Sequence, residues 1–275
     1  MITLILFRLR TVRHNQLEIL EDQPPKIIRK IISGAAEVSL RKNARWVIGK
    51  PIEIEDNNYY FKFGKKTKET KGKYADGDFV EEEEENAKYT HVFLDGNLGL
   101  VAIAKKSNLA PETQTIATNL AKYFNKCQFA YAHNITFNIN EIKDPSDFIE
   151  FIRSAYAITE FSFTYSKPNP PDTNKIIKLN EDYAEAVNGH GRNTVNGSSL
   201  NAGIIEELSK SIASTGDDAH IWAIDKPGGI KQKRQLKKDS PVVLNIEEES
   251  LEMKKSIMGI VMRTYKKIRY QEHDE

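Results

Sequence analysis

Two stretches of alternating apolar and polar side chains, at residues 59–63 and 89–104, constrain the fold of this chain most strongly. A period of two residues places every second side chain on the same face of a strand. Turn residues at 56–58 precede the first stretch, and the turn sequence at 95–99 lies within the second. Because such residues join paired strands, the sequence predicts that each stretch belongs to an antiparallel hairpin.

Helical patterns dominate after a proline-rich break at residues 167–171. Apolar residues then recur every three or four positions in 173–187, 199–214 and 250–270, the spacing of one helix face. This mixture predicts an α+β fold. Its two predicted domains are a hairpin-rich antiparallel sheet with helices at 1–166, and a helix-rich half at 167–275 that ends in a long amphipathic basic helix.

Residues 64–88 interrupt the first predicted domain with a highly charged stretch. The stretch begins with lysines, ends with five consecutive glutamates at 81–85, and holds few apolar residues that could enter a core. Long segments of this composition are typical of mobile loops, so we expect a mobile charged loop. An alternative hypothesis gives the acidic run a function as a protein-interaction surface that mimics or blocks a basic partner.

The composition is that of a globular protein, since mean hydropathy is −0.54 and 39% of the residues are hydrophobic. The apolar run at residues 2–7 is short of the roughly 20 residues that a spanning helix needs. Arginines follow this run, whereas a signal peptide places its positive charge first. We therefore expect a cytoplasmic protein.

Metal and disulfide chemistry find little support in the sequence. The single cysteine, Cys127, excludes a disulfide within one chain and a cysteine-based zinc site. The six histidines lack the H-x-x-x-H spacing of a helical metal site. The sequence predicts no metal site and no cofactor.

Catalytic motifs are also missing from the sequence, which has no G-x-S-x-G, no H-E-x-x-H and no kinase signature. We therefore expect no catalytic residue and no small-molecule substrate. The alternative is a metal-dependent nuclease or nucleotide-processing effector with a site at His190, Arg192 and Asp217 or Asp218. Glycines in the predicted loop at 188–193 would allow the backbone to approach a phosphate closely.

Positive charge is concentrated near the C-terminal end of a chain whose formal net charge is only +1. Residues 226–238 hold six cations and no acidic residue, and a strand there would present Lys231, Lys233 and Lys237 on one face. The helix at 250–270 places further cations along one side. Segregated cations favour contacts to backbone phosphates, although a solvated face is the alternative. The candidate DNA-binding residues are Lys231, Lys233, Arg234, Lys237, Lys238, Lys254, Lys255, Arg263, Lys266, Lys267 and Arg269.

Both ends of the chain resemble RexA-like phage-exclusion proteins, the soluble components of temperate-phage exclusion systems. Residues 58–63, the lysine-rich break, and residues 89–104 with the helix after them resemble the N-terminal half of that family. The stretch at 221–229, the Pro-Val-Val at 241–243 and the helix at 248–265 are similar in order and spacing to its end.

The resemblance implies a homodimer that binds double-stranded DNA without sequence preference and acts in phage defence or prophage exclusion. It also implies a sensor that signals to an effector partner, which in that family is a membrane channel protein. KwaB-like DNA-binding defence proteins are a more distant resemblance, through the strand that ends at 167–170. The family has no catalytic motif that would carry over individual contact residues, and residues 167–215 depart most from its pattern.

Overall fold

The structure is a computed structural model that describes residues 1–13, 24–34, 36–41, 44–75, 77–166, 175–187, 189–247 and 253–270. It confirms the predicted α+β fold with an antiparallel N-terminal sheet and a basic C-terminal helix. The strands are β1 (Ile2–Arg13), β2 (Val38–Arg41), β3 (Ala44–Glu55), β4 (Asn58–Ala75), β5 (Asp78–Asp95), β6 (Leu100–Ala104), β7 (Ile135–Glu141), β8 (Ala157–Ser166), β9 (His190–Asn196), β10 (Ala219–Ile224), β11 (Gln232–Gln235) and β12 (Val243–Ile246). The helices are α1 (Pro24–Ser33), α2 (Thr113–Lys126), α3 (Gln128–Ala132), α4 (Ser146–Ser154), α5 (Lys175–Ala186), α6 (Ala202–Thr215) and α7 (Lys254–Tyr270), with a 3-10 turn at Leu236–Lys238.

Eight strands form one antiparallel sheet, here termed the large sheet, in the order β12-β1-β6-β5-β4-β3-β2 with β7 also paired to β1. Both of its faces are covered. On one face Phe7, Phe61 and Phe63 share a core with α1, α2 and α3. On the other, Leu6 and Phe93 share a core with α7. Burial on both faces explains why β6 and residues 4–7 of β1 are continuous apolar runs.

Four strands form a second antiparallel sheet in the order β11-β10-β8-β9. Its inner face carries Phe161, Phe163 and Ile221, which pack against α4, α5 and α6 in a separate core. The sheets do not divide at the predicted boundary of 167–171, because β8 ends at Ser166 and pairs with β9 and β10.

A buried ion pair joins the two sheets. Arg10 of β1 lies 2.6 Å from Asp217, which follows α6, and it also donates to the backbone oxygen of Thr215. Both side chains of the ion pair are nearly inaccessible, at 7% and 15% exposed. A buried charge is stable only with such partners, so this contact fixes α6 against β1.

The predicted mobile loop at 64–88 is wrong, because these residues continue β4 and β5. The two strands pair without a register break from Asn58 and Asp95 to Ala75 and Asp78. The register places Lys68 opposite Glu85 and Lys71 opposite Glu82, although Lys65 lies opposite Lys88 and Glu69 opposite Glu84. Opposite charges across a strand pair are favourable, and the backbone ladder itself needs no apolar side chain.

The predicted loop at 188–193 also differs from the structure, since β9 begins at His190. Most side chains of β9 are exposed, so the strand lacks the apolar alternation that marks strands in a sequence. Its backbone hydrogen bonds come from β8, with Thr164 opposite Arg192. The pairing with β8, rather than a pattern within residues 190–196, therefore determines that this segment is a strand.

Candidate nucleic-acid interface

The outer face of the second sheet carries polar and aromatic side chains rather than a core. Because side chains alternate along a strand, the burial of Phe161 and Ile221 inside turns their neighbours outwards. In the described part of the chain, α4, α5 and α6 all join the core of the inner face. We term the outer face the open face, and its exposed or partly exposed members include Arg192, Thr194, His220, Trp222, Lys233 and Gln235.

Trp222 and Lys233 form the centre of the open face. They are directly opposite each other on β10 and β11, and Lys233 Nζ lies 5.6 Å from the centroid of the Trp222 ring. A lysine over an indole ring is held by the ring's negative face. The contact positions an exposed ammonium group beside an aromatic surface, and both groups suit a nucleic acid.

The acidic residues of the open face have partners within the sheet. Asp218 accepts hydrogen bonds from Gln235 Nε2 at 2.6 Å and from the backbone N–H of Lys237 at 3.0 Å. Glu160 Oε1 lies 3.4 Å from His220 Nε2. The exposed cations around the face are Arg192, Lys233 and Lys237. They outnumber the two carboxylates of Asp218 and Glu160, so the net charge of the face is positive.

Arg234, a predicted DNA-binding residue, forms ion pairs within the molecule. It points to the opposite side of β11 from Lys233, where its Nη2 lies 2.5 Å from Asp239 and 3.5 Å from Asp147. The Asp239 side chain is fully buried. Burial raises the pKa of Asp239, and the hydrogen bond from Arg234 opposes that rise. The guanidinium is therefore committed to a buried carboxylate.

Helix α7 divides the remaining predicted cations into two groups. Ile257, Met258, Val261 and Tyr265 face the large sheet, so Met258 and Tyr265 are core residues. The exposed cations on the other side are Arg263, Lys266 and Lys267. The cations that already contact this molecule are Lys254 over the Tyr60 ring at 5.0 Å, Lys255 at 2.5 Å from Glu55, and Arg269, which donates to Tyr265 Oη at 2.9 Å.

The two basic elements do not form one continuous surface through direct packing. β11 packs against α4, α4 against α6, and α6 against α7, so two helices lie between them. The exposed residues Lys231 and Lys238 flank β11 and extend the open face. A ligand of DNA size is required to reach both elements at once.

The alternative nuclease site is not brought together. His190 and Arg192 lie on the outer side of β9, whereas Asp217 points to the large sheet and is bound by Arg10. Both carboxylate oxygens of Asp218 already accept hydrogen bonds. Within the described ranges, no group of three or more histidine, cysteine, aspartate or glutamate side chains could hold a metal ion.

The fold and its open face define a two-sheet α+β protein with a basic, partly aromatic surface on its smaller sheet. Residues 19–258 match the family described as a domain of unknown function, DUF4747, and the chain belongs to that family. A search of curated proteins finds no match. Among the described helices, none is both long and apolar enough to cross a membrane.

The sequence predicts neither Arg192 nor Trp222 as part of a sheet face, although Arg192 is a candidate residue of the alternative nuclease site. Arg192 lies in a segment without strand periodicity, and Trp222 alternates with buried Ile221 and Ala223. The outward position of Trp222 is nevertheless predictable from the sequence. Ala219, Ile221 and Ala223 alternate with His220 and Trp222, so the latter two face the other side of the strand. What the sequence does not contain is the register that places Trp222 beside Lys233.

Proposed function

We propose that this protein binds double-stranded DNA without sequence preference, as a component of phage defence or prophage exclusion. The single observation that carries the proposal is the open face, where exposed cations surround Trp222 while the acidic neighbours are already partnered. Phosphate contacts from lysine and arginine supply affinity that is independent of sequence. The resemblance to phage-exclusion proteins supplies the biological role.

The cations proposed to contact phosphates are the exposed ones. Those of the open face are Lys231, Lys233, Lys237, Lys238 and Arg192, and those of α7 are Arg263, Lys266 and Lys267. Arg234 and Lys255 are set aside because each forms an ion pair within the molecule. The proposal places the protein in the cytoplasm as a homodimer that signals to an effector or membrane partner, as the resemblance implies.

Duplex affinity across a salt series tests the proposal. Two unrelated sequences, each measured with and without Mg²⁺, should bind equally, weaken steeply with salt and remain uncut. Each lost phosphate contact lowers the slope of log K against log salt by about 0.9. R192A/K233A/K237A should therefore lower the slope by about 2–3 on both sequences.

The matched control is K105A/K106A/K122A, which removes the same charge from exposed lysines far from the open face. This control should lower the slope little, because those lysines lie outside the proposed surface. Equal losses in the two triple variants would reject the open face as the binding surface. Cleavage of the DNA in the presence of Mg²⁺ would favour the nuclease alternative, and no binding at low salt would reject DNA as the ligand.

A further inference from the structure

The hairpin β4–β5 extends beyond the edge of the large sheet at residues 68–85, which we term the arm. The last pair between β3 and β4 joins Ala44 to Thr67, and β6 pairs with β5 only at residues 92–95. Among the described residues, the strands of the arm therefore pair only with each other. Eight residues from Lys68 to Ala75 at about 3.4 Å each give the arm a length of about 27 Å.

Two aromatic side chains lie exposed at the end of the arm. Tyr74 and Phe79 are 66% and 79% exposed, and their ring centroids are 5.1 Å apart. Charged residues on an unpaired edge are a common protection against aggregation, but that need does not explain two exposed rings. A two-stranded ribbon without a packed face is also only marginally stable in water, so contact with a partner would stabilise the arm.

The arm and α7 carry opposite charge. Residues 68–85 contain three lysines and eight acidic residues, a formal charge of −5, and α7 contains six cations and no acid. The other 240 residues hold 31 cations and 31 acids, obtained by subtracting these two segments from the 40 and 39 of the whole chain. The remaining residues are neutral as a whole, so the arm and α7 are two segments of opposite net charge within an otherwise neutral chain.

A groove next to α7 has room for the aromatic end of the arm. It has a volume of about 660 Å³ and lies between α4, α6 and α7. Its apolar lining includes Ile149, Val242 and Ile268. Its charged lining is mixed, with the cations Arg153, Lys210 and Lys267 and the acids Asp144 and Glu150. Pockets of this size hold drug-sized ligands, so two aromatic rings fit. Burial lowers the pKa of Lys210, and the carboxylates of Glu206 and Glu207 oppose that shift.

The arm cannot reach α7 of its own copy. Lys254 at the start of α7 lies over the ring of Tyr60, near the beginning of β4. The arm begins eight residues further along the same strand, about 27 Å away, and runs onward in the same direction with no register break. A contact between the two charged segments therefore needs a second copy of the chain.

We propose that the arm of one copy docks on α7 of a second copy, with Tyr74 and Phe79 in the groove between α4, α6 and α7. The acidic residues of the arm then lie against Arg263, Lys266 and Lys267 of the other copy. The arm length of about 27 Å matches the roughly 26 Å of a 17-residue helix. A two-fold axis lets each copy give one arm and receive one. The inference does not depend on DNA binding, and it assigns the α7 cations to the arm, which leaves the open face as the DNA-binding surface of the docked dimer.

Sedimentation velocity of the full chain without DNA tests the inference. We expect a dimer at about 50 mM salt that dissociates towards about 500 mM, because charge contacts are screened. E81K/E85K in the arm and R263E/K267E in α7 should each weaken the dimer by about tenfold or more. Combining the four substitutions should recover part of the lost association, since the arm at a formal charge of −1 and α7 at +2 keep opposite signs and the exchanged residues again attract each other.

The control K105E/K122E reverses two exposed lysines away from α7 and should leave the dimer intact. Y74S/F79S should weaken the dimer at low salt, with circular dichroism unchanged because both rings are exposed. Three results would overturn the inference: a monomer at low salt, a dimer that persists when the arm is replaced by an Asn-Gly turn between Thr67 and Asn86, or failure of the four-residue exchange to recover any of the lost association.

Discussion

The large sheet and the second sheet differ in how many of their faces are covered. Phe61 and Phe93 lie on opposite faces of the large sheet, and both are fully buried. In the second sheet Phe163 is buried on one face, whereas Trp222 on the other remains partly accessible. A sheet covered on both faces uses its side chains for packing, and one covered on a single face keeps half of them for a ligand.

Cations follow the same division. Arg8 and Arg10 of the large sheet are buried, and they bind Tyr265 Oη and Asp217 respectively. Lys233 of the second sheet keeps its ammonium exposed over the Trp222 ring. Buried cations need partners because desolvation is costly, so they support the fold. Exposed cations with few internal contacts are the ones available to phosphates.

The largest expected effect is the loss of stability when the covered sheet is opened. Phe93→Ala removes a fully buried ring and should lower the free energy of unfolding by about 3–5 kcal/mol, measured by urea titration. Phe79→Ala is the matched control, since its ring is exposed at the end of the arm. In high salt the control should change stability by less than about 0.5 kcal/mol. Similar losses of stability in both variants would contradict the conclusion that the large sheet depends on packing at both of its faces.

The next largest effect concerns the contact between the sheets. Asp217→Ala leaves Arg10 buried without its carboxylate and should cost about 3 kcal/mol, again by urea titration. Asp225→Ala removes an exposed carboxylate near the same sheet and serves as the control. If Asp217→Ala costs no more than Asp225→Ala, the ion pair does not hold the two sheets together.

The covered and charged elements differ in how well the sequence predicts them. The strand at 100–104 and the apolar side of α7 with Met258, Val261 and Tyr265 follow the expected periodicities, because burial on a regular element repeats its period. The hairpin at 64–88 has no apolar period to read. Its strands depend on the backbone ladder between β4 and β5, and this pairing becomes visible only when the register is known.

The candidate site is predictable only in part for the same reason. The alternation along β11 correctly separates Lys233 from Arg234, but the sequence does not show that Arg234 turns to buried Asp239. Arg192 and Trp222 are distant in sequence, and they share a face only because β9 and β10 both pair with β8. Because a third strand brings these two residues together, no pattern within either segment predicts that they share a face.

The reactivity of Cys127 tests how well the covered face of the large sheet excludes water. Cys127 belongs to that core, and burial raises its pKa to about 11. A raised pKa keeps the thiol protonated, so at pH 8 its alkylation should be about 100-fold slower than in the unfolded chain. The same shift predicts that its contribution to stability is present below pH 9 and is lost as the pH rises towards 11. Equal alkylation rates with and without urea would show that this core opens readily.

The smallest expected effect is that of Trp222→Ala on duplex binding. Bases of a duplex are stacked within it, so phosphate contacts should dominate and the affinity should change by less than about twofold. Stacking of an unpaired base on an aromatic ring contributes about 1–3 kcal/mol, so the same variant measured on a single-stranded oligonucleotide supplies the comparison. Lys233→Ala is the control that should weaken both ligands through charge. A loss of tenfold or more on the single strand alone would identify unpaired nucleic acid as the ligand of the open face.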